Sequence, residues 1–181
     1  EKDLPGENKG GLSGQEVSKL PLETCETINN SWGYNITDDR YKTTKEIIHY
    51  LVNAASLNAN LLLNVGPMPN GKIQTEFVDT LKMVGDWLQK NSQTIYGTRG
   101  NTIATQKWGV VTAKEKRLYL HVFKTENPNY IFIPDFSTKL KAVTLFGSNK
   151  SVRFKQQQEG TFIYLDGIKL DEIDTILEAQ L

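Results

Sequence analysis

The sequence predicts an α/β segment followed by an all-β segment, with the change of pattern near Gly97–Gly100. Before that point, two stretches of helical periodicity flank one short, unbroken apolar run. After it, short strand-like runs follow one another at close spacing, with turn residues between them. Helix, buried strand and helix in that order is the pattern of βα units, and the closely spaced strands are the pattern of a β-sandwich.

Residues 1–22 are rich in Gly, Pro, Ser, Asn and charge and read as a long irregular loop. Thr43-Thr44-Lys45-Glu46 is a capping-box pattern, and Ile47, Ile48, Leu51, Val52 and Ala55 then recur at helical spacing, which predicts a helix over 43–58. Asn60–Gly66 is an apolar run without alternation and predicts a strand buried on both faces. Gly66-Pro67-Met68-Pro69-Asn70-Gly71 ends it sharply. A second helix is expected over 75–90, with Phe77, Leu81, Val84 and Leu88 on its apolar stripe. The strands expected after Ile103 are 108–112, 117–123, 130–133, 142–146, 151–154, 161–165 and 175–181.

The 181 residues are 38% hydrophobic and 9% aromatic, enough for a packed core. Lys plus Arg equals Asp plus Glu at 21 each, so no clustered positive charge points to nucleic acid or an anionic membrane surface. The single cysteine, Cys25, excludes an intrachain disulfide, and with only His49 and His121 beside it no zinc site is expected. No apolar run is long enough to span a bilayer, and there is no targeting signal. The opening Glu1-Lys2-Asp3-Leu4-Pro5-Gly6 lacks a methionine and runs straight into loop chemistry, so the chain is expected to be part of a longer one.

Three ordered stretches carry a resemblance. Glu23-Thr24-Cys25 followed by Ser31-Trp32-Gly33-Tyr34 is similar to the W-E-x-C…SWGY segment of the family 29 α-L-fucosidases, with Leu22 where that family has its first tryptophan. Asn60-Leu61-Leu62-Leu63-Asn64-Val65-Gly66-Pro67, with Gly71 beyond, resembles that family's G-N-x-L-L-N-x-G-P stretch, with Ala59 for the leading glycine. Asp86-Trp87-Leu88…Ile95-Tyr96-Gly97-Thr98 is similar to its closing helix and the link into its C-terminal sandwich. The resemblance implies the last βα units of a (β/α)₈ barrel over residues 1–98 and an antiparallel β-sandwich over 99–181. It also implies a fucosylated glycan as substrate, no cofactor or metal, and a secreted, periplasmic or lysosomal setting.

A retaining glycosidase needs two carboxyl groups about 5–5.5 Å apart, a nucleophile and an acid/base. The resemblance puts the nucleophile, an aspartate, upstream of Glu1. Glu1, Glu7, Glu23 and Glu26 are the early glutamates. Glu1-Lys2-Asp3-Leu4-Pro5 is similar to a T-P-E-x-x-x-P loop that carries the acid/base in several family members, so Glu1 is the first choice. Glu23, matching the W-E-x-C glutamate, is the alternative acid/base or a supporting group. Trp32 follows an expected strand at what would be the barrel rim, where such folds place their sites, and its indole suits the apolar face and methyl group of a deoxy sugar. Asn64 is expected to bond loop backbone, and His121 to be structural. Asn29, Asn35 and Asn149 begin glycosylation patterns. Two other functions compete: a related barrel glycosidase of other sugar specificity, or a non-catalytic carbohydrate-binding fragment. Tyr119, Tyr130 and Tyr164 would serve the latter only if exposed, and their alternating strands predict core packing instead.

Overall fold

The capping box at Thr43 forms as its spacing predicts: Glu46 N donates to Thr43 Oγ1 at 3.2 Å, and Thr43 N donates to Glu46 Oε2 at 2.7 Å. The Thr43 backbone donor, then its hydroxyl, holds the Glu46 carboxyl below its usual range. The structure, a computed structural model, describes residues 22–181 apart from Asn101 and Asn149. Two units divide between Ser92 and Gln93.

In the first unit, strand β1 (Leu22–Thr27), helix α1 (Thr44–Ser56) and strand β2 (Ala59–Asn64) form one βαβ crossover, followed by helix α2 (Thr75–Asn91). The two strands are parallel, in register from Leu22 opposite Ala59 to Thr27 opposite Asn64. On one face Ala59, Leu61 and Leu22 pack with Ala54, Tyr50 and Leu57. On the other face of β2, Asn60 and Leu62 are exposed, Leu62 to 48%. The expected burial on both faces therefore does not hold among the described residues: α1 covers one side only.

The stripe on α2 also differs from expectation. Its buried residues are Phe77, Thr80, Val84 and Trp87, at steps of three, four and three, whereas Leu81 is exposed and Leu88 half-buried. Trp87 therefore replaces Leu88 on the packed face, and that face is turned by less than one residue step from the leucine row.

Among its described residues the second unit holds seven antiparallel strands, β3 (Gly109–Lys114), β4 (Arg117–Val122), β5 (Tyr130–Pro134), β6 (Ala142–Leu145), β7 (Phe154–Gln157), β8 (Gly160–Tyr164) and β9 (Thr175–Gln180). They make a four-stranded sheet in the order β3-β4-β9-β6 and a three-stranded sheet in the order β5-β8-β7. Leu118, Leu120, Val143 and Leu177 of the first share one apolar core with Ile131, Ile133 and Ile163 of the second, the arrangement of a β-sandwich.

The strand expected at 151–154 is instead a corner. Ser151 bridges Thr144 and Val152 N donates to Val143 O, so this stretch still belongs to the four-stranded sheet. Phe154–Gln157 then pairs with β8 in the other sheet. The linker residues 93–98, expected with the first unit, join the second: Thr112 Oγ1 donates to Thr94 O at 2.7 Å, and just beyond, Arg99 N donates to Ala113 O at 2.7 Å.

Of the three tyrosines, Tyr119 is core: it is 1% exposed, its ring meets Phe146 edge-on and its hydroxyl accepts from Gln93 Nε2. Tyr130 and Tyr164 are not. They are direct cross-strand partners, half-buried on the outer face of the three-stranded sheet, because Ile131 and Ile163 take the inward places. His121 is fully buried in β4, with Nδ1 2.6 Å from Asp174 Oδ2 and Nε2 3.3 Å from Thr112 Oγ1.

Candidate active site

The C-terminal ends of β1 and β2 lie side by side, and the loops leaving them interlock. Asn64, the last residue of β2, donates from Nδ2 to the Trp32 carbonyl at 2.6 Å, so it bonds loop backbone as its place at a strand end suggests. Two residues on, Gly66 is so close to the neighbouring loop that a Cβ there would lie 2.5 Å from Gly33 C and 2.6 Å from Tyr34 N. The Trp32-Gly33-Tyr34 backbone is thus held against the β2 end by a hydrogen bond and by shape.

The loop after β1 is also tied within itself. Its base closes where Lys42 N donates to Ile28 O, while Lys42 Nζ reaches Thr27 O at 2.8 Å, Asn29 O at 3.1 Å and Glu26 Oε1 at 3.3 Å. Asn29, only 1% exposed, accepts at Oδ1 from Thr27 Oγ1 and Ser31 N, and its side chain is too buried to carry a glycan. Asp38 accepts from Asn30 N at 2.9 Å, Ser31 Oγ at 2.8 Å and, more weakly, Asn30 Nδ2. Desolvation alone would raise the Asp38 carboxyl, but the bonds from Ser31, Asn30 and the Arg40 backbone together hold it below its ordinary value.

Held this way, Trp32 projects from the loop with 59% of its surface exposed. That exposure leaves the indole able to lie against an apolar ligand surface. Ile36, a few residues on, is exposed as well.

Of the candidate residues that the structure describes, Glu23 and Trp32 are not brought together. Glu23 is exposed near the start of β1, opposite Asn60, and roughly 13 Å of strand separates it from Thr27 at the loop end, at about 3.3 Å per residue. Glu1 lies outside the described residues. Glu26 is the buried carboxylate at the loop end of β1, but its Oε1 accepts from Thr27 N and faces Lys42, so it anchors the loop base. Asp38 and Lys42 carry no motif in the sequence; only folding of the loop reveals their part. Among the described residues no group of three His, Cys, Asp or Glu side chains could hold a metal ion.

Residues 4–93 match the family model described as Alpha-L-fucosidase. The chain is 30% identical over 164 residues to the plasma alpha-L-fucosidase of Homo sapiens, covering 83% of this chain and 35% of that protein. Against the alpha-L-fucosidase of Dictyostelium discoideum the identity is 29%, over 87% of this chain and 32% of the relative. The chain therefore spans about a third of the length of these curated relatives. Among solved structures, alpha-L-fucosidase isoenzyme 1 from Paenibacillus thiaminolyticus superposes with a TM-score of 0.82 at 30% identity, over 94% of this chain and 42% of that one. The Thermotoga maritima alpha-fucosidase in complex with fucose gives 0.80 at 27% identity, over 91% and 40%.

Proposed function

The chain belongs to the α-L-fucosidase family of glycoside hydrolases, and we propose that it forms the C-terminal portion of a retaining enzyme that removes terminal α-L-fucose from glycans. In this reading β1, α1, β2 and α2 are the last βα units of a (β/α)₈ barrel, and the exposed face of Leu62 packs against the remainder of that barrel. Such barrels build their sites from the loops at the C-terminal strand ends, which is where Trp32 stands. The observation that carries the proposal is that exposed indole, fixed at the strand ends by Asn64 and Gly66. The similar Thermotoga maritima enzyme has been solved with fucose and with a mechanism-based inhibitor, which supports fucose as the sugar.

The chemistry follows from the two-carboxyl requirement. An aspartate upstream attacks the anomeric carbon while Glu1 protonates the leaving oxygen, and Glu1 then takes a proton from the water that releases fucose. Glu23 is the alternative acid/base or a supporting group. No step uses a cofactor. The full protein is proposed to act where it meets fucosylated glycoconjugates, in a secreted, periplasmic or lysosomal setting.

The test is turnover of an aryl α-L-fucoside by the full-length protein, followed by proton NMR. Release of α-L-fucose as the first anomer supports the retaining route, whereas β-L-fucose first means inversion. No turnover of fucosides alongside turnover of another glycoside would move the assignment to a related barrel glycosidase.

A further inference from the structure

The outer face of a sandwich sheet normally carries polar side chains, yet the three-stranded sheet here presents aromatic ones. Tyr130 lies opposite Tyr164 and Phe132 opposite Phe162, all four half-buried, with Phe162 edge-on to Tyr130 and tilted against Phe132 at 4.5 Å. Arg153 lies over the Tyr164 ring at 3.9 Å from its centroid. Phe132 reaches across to Gly160, where a Cβ would come within 2.9 Å of its ring.

A pocket of about 290 Å³ opens at the β5 edge of this aromatic block. Tyr130, Ile131, Phe132 and Trp108 give it an apolar floor, and Gln106 and Asn127 stand on its rim. Trp108 is fixed there, since its Nε1 donates to Phe132 O at 2.9 Å. That bond marks the free edge of β5, which pairs with β8 on its other side. The odd-numbered residues face β8, as the bonds of Asn129 O and Asp135 N show, so the main-chain groups of Tyr130 and Phe132 face the pocket side. Trp108 caps one of them and stands where an added strand would run, which disfavours an extended peptide as occupant. The rim charges, Lys107 and Glu126, face each other at 3.6 Å and cancel, so the mouth selects neither anion nor cation.

From the aromatic floor, the amide-bearing rim, the open main-chain groups and the neutral mouth we infer a second, non-catalytic site on the sandwich that takes a neutral pyranose of a glycan. The volume suits one sugar ring, at the lower end of small-ligand pockets. Ring faces meet the aromatic floor, and hydroxyls meet Asn127, Gln106 and the β5 edge. It lies on the second unit, whereas Trp32 belongs to the first.

The test is saturation-transfer NMR on the full-length protein with methyl α- and β-glycosides of galactose, glucose and mannose, in the presence of saturating L-fucose. At least one glycoside should give a signal that Tyr130→Ala weakens about tenfold in affinity and Asn127→Ala weakens severalfold, both variants keeping the wild-type melting temperature within a few degrees. Turnover of a small aryl fucoside should be unchanged in both. No signal from any glycoside, or a signal that both variants leave intact, overturns the inference. Because the readout is binding and needs no turnover, its failure is separable from failure of the fucosidase proposal.

Discussion

Asn64 Nδ2 donates to the carbonyl oxygen of Trp32 at 2.6 Å, so the last residue of one parallel strand sets the position of the exposed indole that follows the other. Trp32→Ala should therefore weaken fucose inhibition of the full-length enzyme about tenfold, near 1.4 kcal/mol, with little change in melting temperature. Asn64→Ala should weaken it by a smaller factor, since the net worth of one hydrogen bond is about 0.5–1.5 kcal/mol. Inhibition and thermal unfolding measured on one preparation decide it. A large stability loss with unchanged inhibition would make Trp32 a packing residue.

Gly66→Ala tests the same clamp through shape. Its Cβ would meet backbone atoms of Gly33 and Tyr34, which cannot rotate away as a side-chain tip can. The loop must shift, at a cost of about 1–3 kcal/mol typical of overpacking. Fucose affinity and stability should fall together, unlike in Trp32→Ala; a variant equal to wild type in both would mean the loop moves freely.

What the sequence showed and what it hid divide along a physical line. Local chemistry was legible: the Thr43 box forms, and α1 and α2 lie within a residue or two of their expected ends. Properties set by partners in space were not. Leu62 reads as buried because apolar runs usually are, but its exposure depends on what lies beyond β2. Leu81 and Trp87 are both apolar and near one stripe, and only packing in three dimensions chooses between them. Val152 lies in a strand-like run that crosses between sheets, a feature with no periodic signal. At the candidate site, Trp32 and Asn64 could be named from motifs, whereas Asp38 acts through a loop closure that no spacing rule encodes.

His121 and Asp174 should contribute measurably to the stability of the second unit. Both side chains are fully buried, and Asp174 Oδ2 faces His121 Nδ1 at 2.6 Å. Asp174→Ala strands a buried ring nitrogen, and a buried polar group left without its partner costs about 1–3 kcal/mol. Denaturant unfolding of the full-length protein should show a transition at markedly lower denaturant, while Asp174→Asn, which keeps an acceptor, should lose less. Equal losses would indicate that packing, not the polar contact, is what the site needs.

The acid/base assignment separates two glutamates. Glu1→Gln should slow fucosides with poor leaving groups by about 10²–10⁴-fold and activated aryl fucosides far less, with azide partly restoring the latter. Glu23→Gln should stay near wild type, because Glu23 sits at the far end of β1 from Trp32. The reverse pattern would assign the role to Glu23 and require the described loops to rearrange.

Asp38 offers a pH test of the loop. Its folded carboxyl lies below the ordinary value of 3.8, because the bonds from Ser31, Asn30 and Arg40 outweigh desolvation. Between the two values the unfolded form holds more proton than the folded one, so folding favours the ionised group. Its contribution is fully present above about pH 3.8 and fades as pH falls through the lower folded value. The fluorescence of Trp32, isolated as the difference between wild type and Trp32→Phe, should therefore hold steady down to about pH 3.8 and change below it. Asp38→Asn keeps one acceptor oxygen but no titrating group, so that acid step should vanish and fucose affinity at neutral pH should drop a fewfold. If the variant keeps the same acid step, another carboxylate governs the loop, and Asp38 is then only one of several ties that hold Trp32 in place.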